Sequence, residues 1–138
     1  MISFIFSTKI YYKDIDRMGV VYYSRYLEFF EQARTELLDT LGLQVIDLER
    51  MGYYLPVVYT ECKYIKSAGL EDKILIQCTI DELPKSKLTI KYRVYFEDDN
   101  TDIALGLTRH AFLGVNDNRP KRAPSKILNA FIANFMID

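Results

Sequence analysis

An apolar, β-branched and aromatic run opens the chain, and Ser3 to Tyr12 reads as a first strand. From Ser24 the period changes. Tyr26, Phe29, Phe30, Ala33, Leu37 and Leu41 follow the i, i+3, i+4, i+7 spacing of one helix face, with Glu28, Gln32, Thr35, Glu36 and Asp39 mostly on the other. Ser24 suits the N-cap and Gly42 the C-terminal stop, which predicts a helix of about five turns. "LQVIDLERMG" reads as a second, short helix stopped by Gly52. Strand signals return over Leu55–Lys66, Lys73–Leu83, Lys87–Glu97 and Ile103–Val115. The Lys87–Glu97 run alternates most cleanly: Leu88, Ile90, Tyr92, Val94 and Phe96 share one face, and Lys87, Thr89, Lys91, Arg93 and Glu97 the other. One face is therefore packed and one is wet. "NDNRPKRAPS" is a loop, and Ser125 is placed to cap a closing helix.

The order is strand, helix, short helix, four strands, helix. Short connections make the last four strands antiparallel neighbours. One sheet of about five strands has to cover the long helix, which is an α+β two-layer domain. A length of 138 residues suits one domain spanning 1–138, and 49% hydrophobic with 14% aromatic content supplies a sizeable core.

Charge narrows the function classes. Charged residues make up 27% of the chain and the net charge is −1, so bulk electrostatics give no support to nucleic-acid or anionic-membrane binding. "MISFIFSTKIYY" lacks a basic n-region and a small-residue cleavage site. No run reaches the ~18 to 20 apolar residues of a membrane span, so a cytoplasmic protein without a transmembrane segment is expected. Cys62 and Cys78 match no metal motif and read as buried strand thiols. The single histidine, His110, falls mid-strand and reads as an ordinary strand residue, so no metal site is expected.

Candidate chemistry lies in "YYKDIDRMGVVYYSRYLEFFEQAR". Asp14 and Asp16 follow the first strand and precede the helix. Spacing alone fits two loop carboxylates bonded to nearby backbone. It also fits a carboxylate that becomes a base or nucleophile when substrate desolvates it. The helix start offers N–H groups without intrahelical partners at the positive end of a dipole, a place for an oxyanion. A turn at Gly19 would bring the two together.

"DIDRMGVVYYSRYLEFFEQARTELLDTLGL" resembles the signature of the hotdog-fold acyl-CoA thioesterases of the 4-hydroxybenzoyl-CoA thioesterase family. The nearest pattern is the bacterial branch associated with the Tol–Pal envelope system. The matching residues are Asp14, Asp16, Gly19, Val20, Val21, Tyr22, Glu31, Ala33 and Arg34, and "YLPVVYTECKYIKSAGLEDKILI" and "RHAFLGVNDNRPKRAP" extend the likeness. The resemblance implies a hotdog fold, an antiparallel sheet wrapped round a long central helix, Ser24–Leu41. It implies hydrolysis of acyl-CoA thioesters to free acid and CoA, without metal or redox cofactor.

On this likeness the catalytic aspartate is Asp16, as nucleophile or general base, and the N–H facing the thioester carbonyl is that of Tyr23. Asp14 is a structural carboxylate. Gly19, Val20 and Val21 shape the substrate approach. Lys85 and Lys87 stand where the aromatic-acyl branch has basic CoA contacts, and Arg119, Lys121 and Arg122 form a second basic group. Tyr11, Tyr12, Tyr22, Tyr23 and Tyr26 are core aromatics or walls of an acyl tunnel. Glu31 can pair with Arg34 on the helix, and it is the runner-up catalytic residue because some hotdog thioesterases carry a carboxylate there. Tyr23 departs from the Tol–Pal-associated branch, which usually has histidine at that position. A backbone N–H role survives the change and a proton-shuttling imidazole does not. The implied partners are an acyl-CoA, with acyl carrier protein left open, and further copies of the chain in a homodimer or homotetramer with sites at the subunit boundary. The alternative is a non-catalytic acyl- or acyl-carrier-protein-binding scaffold on the same fold. A hotdog hydratase fits less well, because that chemistry pairs its acid with a histidine and His110 has no such setting.

Overall fold

The computed structural model describes residues 1–135. Strand β1 (Ile2–Lys9) leads through a 3-10 turn, Tyr12–Asp14, to helix α1 (Arg25–Thr40) and the short helix α2 (Val45–Arg50). Strands β2 (Tyr53–Tyr54), β3 (Val57–Tyr64), β4 (Lys73–Ile80), β5 (Lys87–Phe96), β6 (Asp102–Gly114) and β7 (Pro120–Lys121) follow, and helix α3 (Ser125–Asn134) closes the described chain. The α+β reading holds, and the antiparallel sheet with its covering helix is consistent with a hotdog fold.

Several details differ from the sequence reading. The first strand stops at Lys9, because Tyr12–Asp14 already turns. Helix α1 has 16 residues, about 4.4 turns and so roughly half a turn short of the expected five. Ser24 occupies the N-cap position but has helical φ/ψ and makes no side-chain cap bond. Gly42 does end the helix: it has φ +74°, and Leu43 N–H returns to the Leu38 carbonyl at 2.9 Å. Pro124, not Ser125, holds the N-cap position of α3. The expected loop before it contains β7, which pairs with β6.

The largest difference is topological. The main sheet runs β1-β4-β5-β6, with β3 pairing β6 at the far edge. The second long strand thus lies away from β4, its neighbour in sequence. The 65–72 segment is not a hairpin turn. Ile65 and Lys66 N–H donate to the Ile103 carbonyl, Val21 N–H donates to Ala68 O, and Ile10 and the 71–72 backbone exchange hydrogen bonds. Its backbone is satisfied by β1's exit and the helix entry, so the chain crosses the sheet end and β1 takes the place beside β4.

Helix α1 buries Tyr26, Phe29, Phe30, Ala33, Leu37 and Leu38 and packs chiefly on β1 and β4. The alternation of β5 is as expected: Leu88, Ile90, Tyr92 and Val94 are buried against the helix side. Phe30 stacks on Tyr92 with ring centroids 4.3 Å apart. Gly106 on β6 makes room for that ring, since a Cβ there would stand 2.6 Å from Phe30. Burying one such aromatic side chain contributes about 2–3 kcal/mol.

Beside this stack runs a buried polar chain. His110 Nδ1 donates to the Leu55 carbonyl at 3.0 Å, which leaves Nε2 as an acceptor. Thr108 therefore donates to Nε2 at 2.9 Å, and Tyr92 donates to Thr108 at 2.7 Å. Burial, with Arg34 nearby, pulls the His110 pKa down to about 4 against its backbone hydrogen bond. The neutral ring binds its proton less readily than an unfolded histidine at 6.5, so the unfolded chain takes up protons first as pH falls. Thermal unfolding followed from pH 7 to 4 is expected to show stability falling between about 6.5 and 4, by up to ~3 kcal/mol. In His110→Asn the fall across that window shrinks.

Candidate active site

Asp14 is buried and spent on structure. Its Oδ2 accepts Tyr11 N–H at 2.9 Å, and its Oδ1 meets Lys13 Nζ at 3.0 Å. Its carbonyl accepts Tyr22 N–H at 2.9 Å, and Arg25 donates to the Lys13 carbonyl at 3.1 Å. The first helical residue is thereby tied to the turn before Asp14.

From Asp14 to Tyr22 the chain makes a tight hairpin. Ile15 pairs with Val21, Asp16 N–H donates to Val20 O at 3.0 Å, and Gly19 N–H donates to Asp16 O at 3.0 Å. Gly19 has φ +78°, the left-handed residue that a three-residue hairpin loop needs at this place. Asp16 Oδ1 accepts Met18 N–H at 2.8 Å, with Val20 N–H more distant at 3.5 Å. Among the described residues no hydrogen bond reaches Oδ2. The half-exposed carboxylate is anchored by one oxygen and presents the other.

The helix start is the second half of the site. Among the described residues the N–H groups of Tyr23 and Ser24 donate to no acceptor, since both precede the first residue of α1 and have no carbonyl one turn back to bond. Both peptides are held through their carbonyls. Arg25 N–H donates to Tyr22 O at 2.9 Å, and the Tyr64 hydroxyl donates to Tyr23 O at 3.1 Å. Accepting a hydrogen bond at the carbonyl polarises the N–H of the same peptide. Burial, with Cys62 beside it, pushes the Tyr64 hydroxyl up to about 12, so it stays a donor at neutral pH. Tyr22 and Tyr23 lie ring to ring at 4.6 Å, and Tyr22's pKa is raised by its bond to Tyr23, with Asp16 a smaller cause.

Two oriented, unpaired N–H groups and an anchored carboxylate with a free oxygen can polarise a carbonyl and deliver a nucleophile to it. The profile of the thioesterase-like superfamily matches residues 11–131. The chain belongs to the thioesterase-like superfamily. The acyl-CoA thioesterase YbgC of Haemophilus influenzae is 30% identical over 130 residues, covering 94% of each chain. A Thermus thermophilus protein of solved structure, TT1821, superposes with a TM-score of 0.86 at 29% identity, over 95% of this chain and 98% of that one. The Synechocystis 1,4-dihydroxy-2-naphthoyl-CoA thioesterase Slr0204 shares the fold at TM-score 0.86 and 20% identity, over 94% of this chain and 96% of that one.

Within this superfamily member the predicted residues do not all converge. Asp16, Gly19, Val20 and Val21 share the hairpin, and Tyr23 follows directly. Val21 is buried and lines a cavity of about 270 Å³ together with Tyr23, Tyr26 and Tyr64. Lys85 and Lys87 lie elsewhere, Lys85 on the turn from β4 to β5 and Lys87 at the first position of β5. Register puts Ile2 opposite Ile80 and Lys9 opposite Lys73, so that turn is at the far end of the sheet, about 25 Å away. Tyr11 and Tyr12 are exposed, while Tyr26 is buried. Glu31 is exposed and forms no ion pair among the described residues; on α1 the pair is instead Arg25 with Glu28, at 2.9 Å. Both cysteines are free, Cys78 buried and Cys62 half-buried. No three His, Cys, Asp or Glu side chains among the described residues gather as a metal site.

Nothing local in the sequence marks Tyr64: only the crossover brings its hydroxyl to the helix start. Replacing the buried Asp14 by alanine leaves Tyr11 N–H unpaired and is expected to cost about 1–3 kcal/mol, read as a lowered Tm.

Proposed function

We propose that the chain hydrolyses acyl-CoA thioesters to free acid and CoA in the cytoplasm, with Asp16 and the Tyr23 N–H as its working groups. The observation that carries this reading is the pairing of an anchored, half-free carboxylate with unpaired N–H groups at the start of α1. The thioester carbonyl oxygen would accept from Tyr23 N–H, and Ser24 N–H is a second donor beside it. Asp16 then takes a proton from the attacking water, or attacks the carbonyl carbon itself to form a mixed anhydride that a water afterwards hydrolyses to free acid and regenerated Asp16. The C–S bond breaks, the thiolate leaves, and protonation releases CoA. The name of the Haemophilus relative supports an acyl-CoA as substrate. The first motif supports the Tol–Pal-associated branch as the nearest one, with tyrosine in place of its usual histidine.

The sheet supports an oligomer. One edge of β3 pairs with β6, and residues along the strand are exposed, among them Val57, Val58, Tyr59 and Tyr64. An open edge of this kind favours pairing with a second copy. Antiparallel pairing of two β3 strands about a two-fold axis would set the Tyr64 end of one copy beside the Val57 end of the other. The second copy's Lys85 and Lys87 would then stand at the same end of the joined sheet as Asp16. That arrangement gives them a route to the CoA phosphates, which the single chain does not.

Asp16→Asn is expected to lose CoA release, followed with a thiol-trapping reagent over a panel of acyl-CoAs, by about 10²-fold or more while staying folded. Near-normal turnover overturns the assignment, and binding without release from any ester favours the scaffold alternative. Light scattering on the eluting protein is expected to give at least a dimer mass. A monomer would remove Lys85 and Lys87 from the site.

A further inference from the structure

Helix α1 leans on β1 and β4, and β3 stands at the opposite edge, so a cleft runs between the helix and β3, crossed near the helix start by the edge contact of Tyr26 with Tyr64 at 5.5 Å. Three cavities lie in line along it. The first, about 270 Å³, is at the helix start beside Tyr23 and Tyr64. The second, about 260 Å³, lies between Leu27 and Glu31 on the helix and Val57 and Thr60 on β3, with Thr108 on β6. The third, about 150 Å³, continues past Leu38 to Leu55 and His110. Glu31 and Arg34 border both the second and the third.

Arg34 is the unusual member. It is half-buried and forms no ion pair among the described residues, although Glu31 lies one turn before it. Its guanidinium lies near the Tyr92 hydroxyl, where it works against the rise that burial imposes on that group. The Tyr92 proton is committed to Thr108, the Thr108 proton to His110, and the His110 Nδ1 proton to Leu55 O. Tyr92 can therefore offer Arg34 only a lone pair. A guanidinium has five N–H donors, and one hydroxyl oxygen cannot satisfy them. Arg34 also lines the second and third cavities, so an acceptor placed in them comes within its reach.

We propose that this cleft takes the acyl group and that Arg34 selects acyl groups with an oxygen acceptor, a carboxylate or a hydroxyl, at their far end. The inference rests on the hydrolase reading for the placement of the thioester at the helix start. Eleven residues separate Tyr23 from Arg34, about 16 Å of helix, and a helical side chain leans back by roughly one turn of about 5 Å. An acceptor about 11 Å from the reacting carbonyl, near the end of an eight-carbon acyl chain, would meet the guanidinium. A plain aliphatic tail of that length would instead strip water from an unpaired cation. A site built to hydrogen-bond its substrate rejects the analogue that lacks the partner.

The test compares kcat/KM for suberoyl-CoA, ω-hydroxyoctanoyl-CoA, octanoyl-CoA and acetyl-CoA, in the unchanged protein, Arg34→Met and Arg34→Lys. The expected result is a preference of about tenfold or more for the first two over octanoyl-CoA, through KM more than kcat. Arg34→Met abolishes it, and Arg34→Lys restores it for the carboxylate more than for the hydroxyl. Acetyl-CoA is too short to reach Arg34 and reports damage to the fold. Equal values for octanoyl-CoA and suberoyl-CoA, or an equal loss on all four esters in Arg34→Met, overturn the inference. If no ester is cleaved, the hydrolase reading fails separately. The same ranking, measured by calorimetry as Kd of the intact esters on Asp16→Asn protein, then decides the role of Arg34: a retained preference supports it and equal affinities overturn it.

Discussion

The seating of Phe30 between Tyr92 and Gly106 determines where α1 lies, and the rest of the structure depends on it. The ring stacks on Tyr92 at 4.3 Å and occupies the space that any side chain at Gly106 would need. This contact brings the helix close to the middle strands while its neighbours pack on β1 and β4. A helix so placed touches β3 at Tyr26 and Tyr64, and the flank beyond that contact is the cleft. The same placement sets its first residues above the sheet end where β1 exits, which is where Asp16 arrives.

The two aspartates show how position in a hairpin separates chemically identical groups. Asp14 is enclosed, and its oxygens serve Tyr11 and Lys13. Asp16, two residues on, is at the neck of the Gly19 turn and uses one oxygen to hold the turn's own backbone. The absence of a cap from Ser24 is part of the same arrangement. Here the entering turn makes Ser24 helical, and Tyr64 secures the Tyr23–Ser24 peptide from the carbonyl side instead.

The polar chain from Tyr92 to Leu55 accounts for a second local choice. Three buried polar side chains are fully partnered, so they stiffen the inner face of β6 without leaving unmet groups. With its proton committed to Thr108, Tyr92 meets Arg34 only as an acceptor. The tyrosine holds that cation in place and does not neutralise it.

Local pattern determined much of this protein. Period and punctuation in the sequence located α1, the short α2 and the long strands, because amphipathic spacing and glycine stops act within a few residues. The Asp14–Tyr23 stretch marked a candidate site for the same reason: hairpin and helix entry are neighbours along the chain. Strand order was decided only in three dimensions. Short connections argued for β3 beside β4, yet hydrogen bonds from Ile10 and Val21 satisfied the 65–72 backbone and sent the chain across the sheet end. That crossing delivered Tyr64 to the helix start, the pairing of β1 with β4 put Lys85 and Lys87 at the far end, and the seating of the helix set Arg34 against Tyr92. Each of these is a contact between residues distant in sequence, and such contacts follow from how helix and sheet share one core, which no local spacing records.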